Sequence, residues 1–198
     1  GAEPENLLLL PGPEGALNRK TGPEGPFHVV IANPPYLARK HGEARLSAFL
    51  AREYPEGKGD LYTAFLQRAM AWLAPGGYAA MVTQSSFMFL GSFARLRRWL
   101  LERAAVEAVI HLGPGAFAEI GGEKVNAAAY VLRREDDARA REQAAGSYLR
   151  LVDGGEEEKR RGLAGGRVFT VPQSAIARPP GAPWVWWVPP ELQGPYRS

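Results

Sequence analysis

Apolar residues along the chain cluster in short runs that glycine, proline and polar residues separate. The runs over 27–32, 78–83 and 106–112 are short and rich in β-branched residues, as in strands buried in a parallel sheet. Between these runs, apolar residues recur every three or four positions, which predicts helices over about 60–73 and 92–101. This alternation of strands and helices predicts an α/β fold.

The two predicted helices carry their own start signals and faces. Asp60 is predicted to cap the first helix, because its side chain can accept from the free N–H groups of the first turn. Its predicted buried stripe consists of Leu61, Phe65, Ala69 and Leu73, with Leu66 and Met70 beside it. In the second helix the residues predicted to face the core are Phe93, Leu96, Leu100 and Leu101, and those predicted to face solvent are Arg95, Arg97, Arg98 and Arg103.

The predicted domain organisation follows from changes in residue composition along the chain. Residues 1–26 are predicted to be an irregular leader rich in glycine and proline, and residues 27–135 to form the folded half-domain. The strands over 106–112 and 125–132 have no predicted helix between them, so we expect them to pair antiparallel. Residues 136–198, with a further strand over 147–152, are predicted to be a charged, Pro/Trp-rich linker whose three tryptophans pack against a neighbouring domain.

The segment Asn33-Pro34-Pro35-Tyr36 follows the first strand directly and contains a candidate recognition chemistry. Ligands bind at the carboxyl ends of parallel strands, so this segment is placed where a substrate would lie. The Asn33 amide oxygen and the Pro34 carbonyl offer two hydrogen-bond acceptors on a stiff loop, and Tyr36 offers a flat face. This combination suits the exocyclic amine of a planar base. An ordinary turn is the alternative.

Composition excludes several function classes. The chain contains no cysteine, which rules out disulfides and the thiolate adduct that methylation of a cytosine ring carbon usually needs. The three histidines lie far apart in unrelated contexts, so we expect no metal site. No apolar run approaches 18 residues, so we expect no membrane span and an intracellular, cytoplasmic location. The net charge of +3 permits nucleic-acid binding without requiring it.

The order of elements around this motif resembles the carboxyl half of the Rossmann-like sheet in class I S-adenosylmethionine-dependent methyltransferases, with its antiparallel last strand pair. The segments that carry the closer resemblance are 30–36, 59–65, 76–90 and 111–125. They are similar to gamma-type N6-adenine DNA methyltransferases and, within these, to the PglX-like enzymes of the BREX phage-exclusion systems. The resemblance implies a site-specific adenine methyltransferase that serves in phage defence and host modification.

The resemblance also implies roles for individual residues. The implied catalytic residues are Asn33, Pro34, Pro35 and Tyr36, and the implied substrate-binding residues are Tyr36, Phe117 and Lys124. Tyr36 and Phe117 would clamp an adenine flipped out of double-stranded DNA, while Lys124 would contact a phosphate. S-adenosyl-L-methionine is the implied cofactor, and Asn33 is a partial contact to it. Other phage-defence components are possible partners.

Two departures from the family pattern affect these expectations. His28 stands where the family usually has Asp. No glycine-rich cofactor loop after a strand precedes Asn33, so we expect the chain to be a fragment that lacks the N-terminal half of the catalytic domain and is inactive alone. The alternatives to a DNA adenine methyltransferase are an RNA or protein-glutamine methyltransferase, and a non-catalytic DNA-binding or assembly module.

Overall fold

The computed structural model describes residues 26–36, 44–116 and 125–189, which form a mixed sheet with helices packed on it. The strands are β1 (Phe27–Ala32), β2 (Leu73–Gln84), β3 (Ala104–Gly113), β4 (Ala127–Arg134), β5 (Ala145–Arg150) and β6 (Val168–Pro172). The helices are α1 (Ala44–Glu53), α2 (Leu61–Trp72), α3 (Ala94–Leu101), α4 (Ala138–Gln143), α5 (Glu156–Gly165) and α6 (Gln173–Ala177). Two short 3₁₀ helices, Ser85–Met88 and Gly91–Phe93, connect β2 to α3. The predicted α/β class is confirmed.

Strand directions place one edge of the sheet at the candidate site. The spatial order is β1-β2-β4-β3-β5-β6. β1, β2, β3 and β5 run parallel to one another, while β4 and β6 run the opposite way. The predicted antiparallel pairing of β3 with β4 is therefore confirmed. The carboxyl ends of the four parallel strands all lie at the same edge, where ligands bind in α/β sheets.

Helix α2 begins as the sequence predicts, with Asp60 as its cap. The Asp60 side chain accepts a hydrogen bond from the Tyr62 N–H at 3.3 Å, and the Asp60 N–H donates to the Thr63 hydroxyl at 3.2 Å. Such reciprocal capping gives partners to two backbone N–H groups at the helix start, those of Asp60 and Tyr62. It also fixes the direction of the first turn.

The buried face of α2 is shifted from the centre of the predicted stripe towards the residues beside it. Its core residues include Tyr62, Leu66, Ala69 and Met70, while the predicted Leu61 and Phe65 are only partly buried. Apolar residues occur nearly all round this helix, so periodicity alone did not select between neighbouring stripes.

Arg97 of α3 is buried and does not face solvent as predicted; its exposed fraction is 2%. Its guanidinium donates four hydrogen bonds to backbone carbonyls on two separate segments. Nη1 binds the carbonyls of Phe87 and Leu90 at 2.7 Å each, and Nε binds those of Gly181 and Ala182 at 2.9 and 3.1 Å. Arg97 thus ties the 3₁₀ segment after β2 to the last described part of the chain.

The region predicted to be a linker, 136–198, contributes to the same core in its described part. β5 pairs with β3, and β6 pairs with β5, so both strands extend the sheet. Trp184 is fully buried within the core, and its backbone N–H donates to the Met88 carbonyl at 2.9 Å. The expected packing of the tryptophans against a neighbouring domain therefore differs from the structure, where Trp184 fills the chain's own core.

Strand β1 lies at the edge of the sheet and pairs only with β2 among the described residues. Val29 and Ile31 of this strand expose 56% and 75% of their surfaces. An apolar strand edge with exposed side chains is an unusual feature for a protein surface, because it can pair with further chain.

Candidate active site at the carboxyl edge of the sheet

The Asn33–Tyr36 segment occupies the predicted position, immediately after β1 at the carboxyl edge. Asn33 is exposed, and its side chain forms no hydrogen bond with a described residue. Pro34 is buried while Pro35 is exposed. The buried proline anchors the loop, so the adjacent Asn33 amide is presented to solvent on a backbone that has little freedom to move.

The Tyr36 ring is held by Tyr62, the second residue of α2. The two rings meet edge to face with centroids 5.9 Å apart and planes at 84°. Burial raises the pKa of the Tyr36 phenol, so it stays protonated at neutral pH. Since edge-to-face contacts of this kind stabilise ring orientation, Tyr36 keeps a defined plane beside Asn33.

Tyr62 in turn is anchored by the polar end of β2. Its hydroxyl forms a 2.8 Å hydrogen bond with the Ser86 hydroxyl, and burial raises its pKa well above the usual value. Ser86 belongs to the segment Gln84-Ser85-Ser86, which the sequence places at the carboxyl edge. The ends of β1 and β2 are thus connected through a Tyr36–Tyr62–Ser86 contact chain.

Phe87 packs against Tyr62 and so supports the Tyr36–Tyr62–Ser86 contacts. Its ring lies 6.3 Å from Tyr62, 5.2 Å from Tyr130 of β4 and 5.3 Å from Trp184, measured between centroids. Each of these four aromatic residues is nearly or fully buried. The site's aromatic support therefore extends from β1 to the last described segment of the chain.

The Gly-rich segment between β3 and β4 starts and ends at the same edge. Gly113 and Gly115 adopt positive φ angles of 63° and 71°, which favour glycine. At the other end, the Ser85 N–H donates to the Asn126 carbonyl at 2.7 Å. Phe117 and Lys124 lie outside the described residues, so the predicted clamp and phosphate contact remain predictions.

Sequence reasoning missed the role of Tyr62 in orienting Tyr36, and a second aromatic group near the ends of β3 and β5. That group packs His111 against Phe89 and Trp187 with centroids 5.1 and 5.6 Å apart, and Trp186 against Tyr148 at 4.9 Å. For Tyr62 the available signal was an aromatic residue in the first turn of a helix that Asp60 starts beside the site. For the second group no local signal existed, because its members come from distant parts of the sequence.

The described residues fit one edge of S-adenosylmethionine and not the whole molecule. The ribose and amino-acid parts of this cofactor present several hydroxyl, amine and carboxylate groups that need polar partners. Beside β1, the described part of the chain offers Asn33, the exposed His28 and Arg68 as such side chains. Arg68 lines a depression beside β1 whose other lining residues, among them Phe27 and Trp72, are apolar, and no carboxylate lines it.

Two other classes of site find no support in the described ranges. Residues 26–36, 44–116 and 125–189 contain no group of three or more His, Asp or Glu side chains that could hold a metal ion. No helix within the same ranges is long and apolar enough to cross a membrane.

Known proteins share both sequence and fold with this chain. The adenine-specific methyltransferase BrxX of Escherichia coli O9:H4 is 33% identical over 163 residues, which cover 81% of this chain and 13% of BrxX. The adenine-specific methyltransferase PglX of Lacticaseibacillus casei is 31% identical over 169 residues, which cover 81% of this chain and 14% of PglX. The chain therefore spans about one seventh of the length of these curated relatives.

A solved structure supports the fold. The methyltransferase subunit of a type I restriction-modification system from Streptococcus thermophilus has a TM-score of 0.54 and 18% identity, covering 80% of this chain and 37% of that subunit. The fold is that of class I S-adenosylmethionine-dependent methyltransferases. The family of Eco57I restriction-modification methylases matches residues 14–117, more than half of the chain, and the chain belongs to that family.

Proposed function

We propose that this chain is the amine-holding part of a site-specific DNA methyltransferase that methylates adenine at N6. The observation that carries the proposal is the exposed Asn33 amide after β1, next to a Tyr36 ring that Tyr62 fixes in orientation. Two relatives above 30% identity bear the name adenine-specific methyltransferase, which favours adenine N6 over RNA or glutamine as the acceptor.

Asn33 and Pro34 act on the amine in this proposal. The Asn33 Oδ1 atom and the Pro34 carbonyl oxygen each accept a hydrogen bond from N6, since an amide and a backbone carbonyl can only accept at those atoms. The two acceptor oxygens hold both hydrogens of the NH₂ group in the plane that they define with N6. The nitrogen lone pair is then localised on N6 and points away from the plane of the base. The lone pair is then directed at an incoming methyl group, and one N6 proton is released after transfer.

Tyr36 orients the base. An adenine inside a duplex has its amine paired, so the base must rotate out of the stack before the two acceptors can reach it. Stacking on an aromatic ring contributes about 1–3 kcal/mol per base at nucleic-acid sites, which offsets part of the cost of flipping. A ring that Tyr62 already holds in place loses little further freedom when the base arrives.

S-adenosylmethionine supplies the methyl group when bound. Because the described residues fit only one edge of it, we propose that the parent protein contributes the rest of the cofactor site from a part that pairs with the free edge of β1. The coverage of about one seventh of the relatives supports a longer parent protein. A role in phage defence, as for PglX-like enzymes, belongs to the same proposal.

A labelled-product experiment tests this function. The full-length protein is incubated with methyl-labelled S-adenosylmethionine and, in separate reactions, duplex DNA, RNA and a cell protein fraction. We expect the label to appear in N6-methyladenine after nucleoside digestion of the DNA. Label confined to RNA or to glutamine, or no label in any acceptor, would overturn the proposal.

A further inference from the structure

Two arginines lie side by side where β5 ends and β6 begins. Arg150 is the last residue of β5, and Arg167 immediately precedes β6. Leu149 pairs with Val168 in the antiparallel ladder, so the next position of the same register sets Arg167 opposite Arg150. Both side chains are exposed. Arg150 also pairs with His111 of β3, which brings it to the carboxyl edge that holds the candidate active site.

Each guanidinium lies over an aromatic ring. Cζ of Arg150 is 4.9 Å from the centroid of Trp187, and Cζ of Arg167 is 4.7 Å from the centroid of Phe169. Stacking of this kind restricts the side chain while leaving the five N–H donors free at the rim of the guanidinium. Neither guanidinium forms an ion pair or hydrogen bond with a described residue.

Arg150 and Arg167 face each other across the two strands, and a third cation, Lys159, lies near Arg150 beside His111. Like charges directly opposite on paired strands destabilise a sheet. Lys159 lies nearby with its Nζ atom donating to the carbonyls of Leu112 and Leu151 at 2.7 Å each, and the carboxylates of Asp153 and Glu158 offset part of its charge. Burial, followed by the positive charges of Arg150 and Lys159, lowers the pKa of His111 to about 4, which is consistent with a positive field at this corner.

We propose that Arg150 and Arg167 bind the phosphate backbone of the DNA that carries the target adenine. This inference rests on the proposed function and names a contact of its substrate. Two preoriented guanidiniums match the bidentate geometry of a phosphate, and an anion relieves the repulsion between them. Their place at the carboxyl edge sets them on the side of the sheet that faces the duplex.

The sheet itself fixes how far this contact lies from the target base. Asn33 follows β1, and Arg150 ends β5 four strands away, so the spacing of about 4.8 Å between strands separates them by about 19 Å. A duplex rises about 3.4 Å per base pair on each strand. For a duplex whose axis runs along this edge, the bound phosphate lies about five to six base pairs from the target on one side, and we expect duplexes trimmed to about three base pairs on that side to lose the contact.

Salt-dependent binding tests the proposal in the full-length protein. The affinity for a labelled 30-base-pair duplex is measured between about 50 and 200 mM salt. Each phosphate contact contributes about 0.9 to the slope of log affinity against log salt. We expect Arg150→Gln and Arg167→Gln each to reduce the slope by about 0.9 and the double variant by about 1.8. The matched control, Arg160→Gln on α5, exposes its guanidinium and pairs with Glu157, so it leaves the slope unchanged.

Conservative variants and melting curves separate binding from folding. Arg150→Lys keeps the charge without the flat guanidinium, so we expect it to recover most of the slope. An unchanged slope in the double variant, with an intact thermal melt, would overturn this inference alone. An equal loss of affinity in Arg150→Lys and Arg150→Gln, with the salt slope unchanged in both, would also overturn it. Arg150 would then act only by stacking on Trp187. A wild type that binds no duplex would overturn the proposed function as well.

Discussion

Tyr36 and Tyr62 pack edge to face, with ring centroids 5.9 Å apart and planes at 84°. Tyr62 is fully buried and hydrogen-bonded to Ser86, so the Tyr36 ring rests on a fixed support. The contact joins the loop after β1 to the start of α2 and the end of β2. It orients the Tyr36 ring next to the exposed Asn33 amide, where we propose that a flipped base stacks.

Loss of the Tyr36 ring should weaken the hold on a flipped base. We expect Tyr36→Ala in the full-length protein to lose roughly 1–3 kcal/mol of base binding. The measurement places a fluorescent adenine analogue at the target position and follows its brightening on binding, which should be smaller in the variant. Brightening equal to that of the wild type would show that Tyr36 does not stack on the base. Tyr78→Ala, a change at another partly exposed tyrosine on β2, is the control.

Replacement of Arg97 should destabilise the fold, although a charge is removed from the core. Arg97→Leu leaves the carbonyls of Phe87, Leu90, Gly181 and Ala182 without their donor. We expect a loss of about 2–4 kcal/mol in the free energy of unfolding, because buried acceptors without partners are costly. Urea unfolding measures it. The control is Arg98→Leu, at an exposed neighbour on the same helix, whose free energy of unfolding should stay within about 0.5 kcal/mol of wild type. An equally small change in Arg97→Leu would show that the hydrogen bonds of Arg97 do not stabilise the fold.

His111 should make stability fall in mild acid. Its pKa is lowered from 6.5 to about 4 by burial among Phe89, Trp186 and Trp187 and by the positive charges of Arg150 and Lys159. The unfolded chain therefore binds the proton more readily, so this contribution to stability is complete above about pH 6.5 and is lost as the pH falls towards 4. The size is on the order of 3 kcal/mol.

His111→Phe removes this titration while keeping an aromatic ring in the cluster. We expect the variant to lose less stability than wild type between pH 6.5 and 4, as measured by urea unfolding at a series of pH values. Parallel curves for the two proteins over that range would show that His111 does not titrate in the predicted window.

The isolated 198-residue chain should not bind S-adenosylmethionine with useful affinity. We propose that its described part holds only one edge of the cofactor site, and among the described residues β1 has one unpaired edge, with Val29 and Ile31 exposed. Calorimetric titration of the cofactor into the purified chain, alongside sizing, checks this expectation. Dissociation below about 10 µM from a clean monomer would show that the site is complete within these residues; the free strand edge should instead favour self-association.

The sequence predicted the features that depend on local patterns. The strand before Asn33, the cap at Asp60 and the antiparallel pairing of β3 with β4 follow from short apolar runs, helix-start chemistry and the absence of an intervening helix. Each of these involves residues that are close along the chain or joined by one short connection.

The features that the sequence did not predict depend on distant partners. Arg97 has an amphipathic position that suggests solvent, yet its acceptors include Gly181 and Ala182, far along the chain. Trp184 lies among prolines that indicate no regular element, and its burial depends on Phe87 and Met88. In both cases a long-range hydrogen bond or ring contact determines the environment, and neither leaves a periodic signal.

Methyl transfer by an Asn33→Ala variant of the full-length protein tests the central claim most directly. The measurement compares the rate of N6-methyladenine formation with that of wild type, and cofactor binding is checked in parallel. Asn126→Ala is the control, because Asn126 is exposed at the same edge and its backbone carbonyl, which the substitution keeps, accepts the hydrogen bond from the Ser85 N–H. The account predicts retained cofactor binding, a loss of transfer by several orders of magnitude, and a control close to wild type. A rate within about tenfold of wild type, or roughly 1.4 kcal/mol in barrier, would contradict the assignment of Asn33 to the target amine.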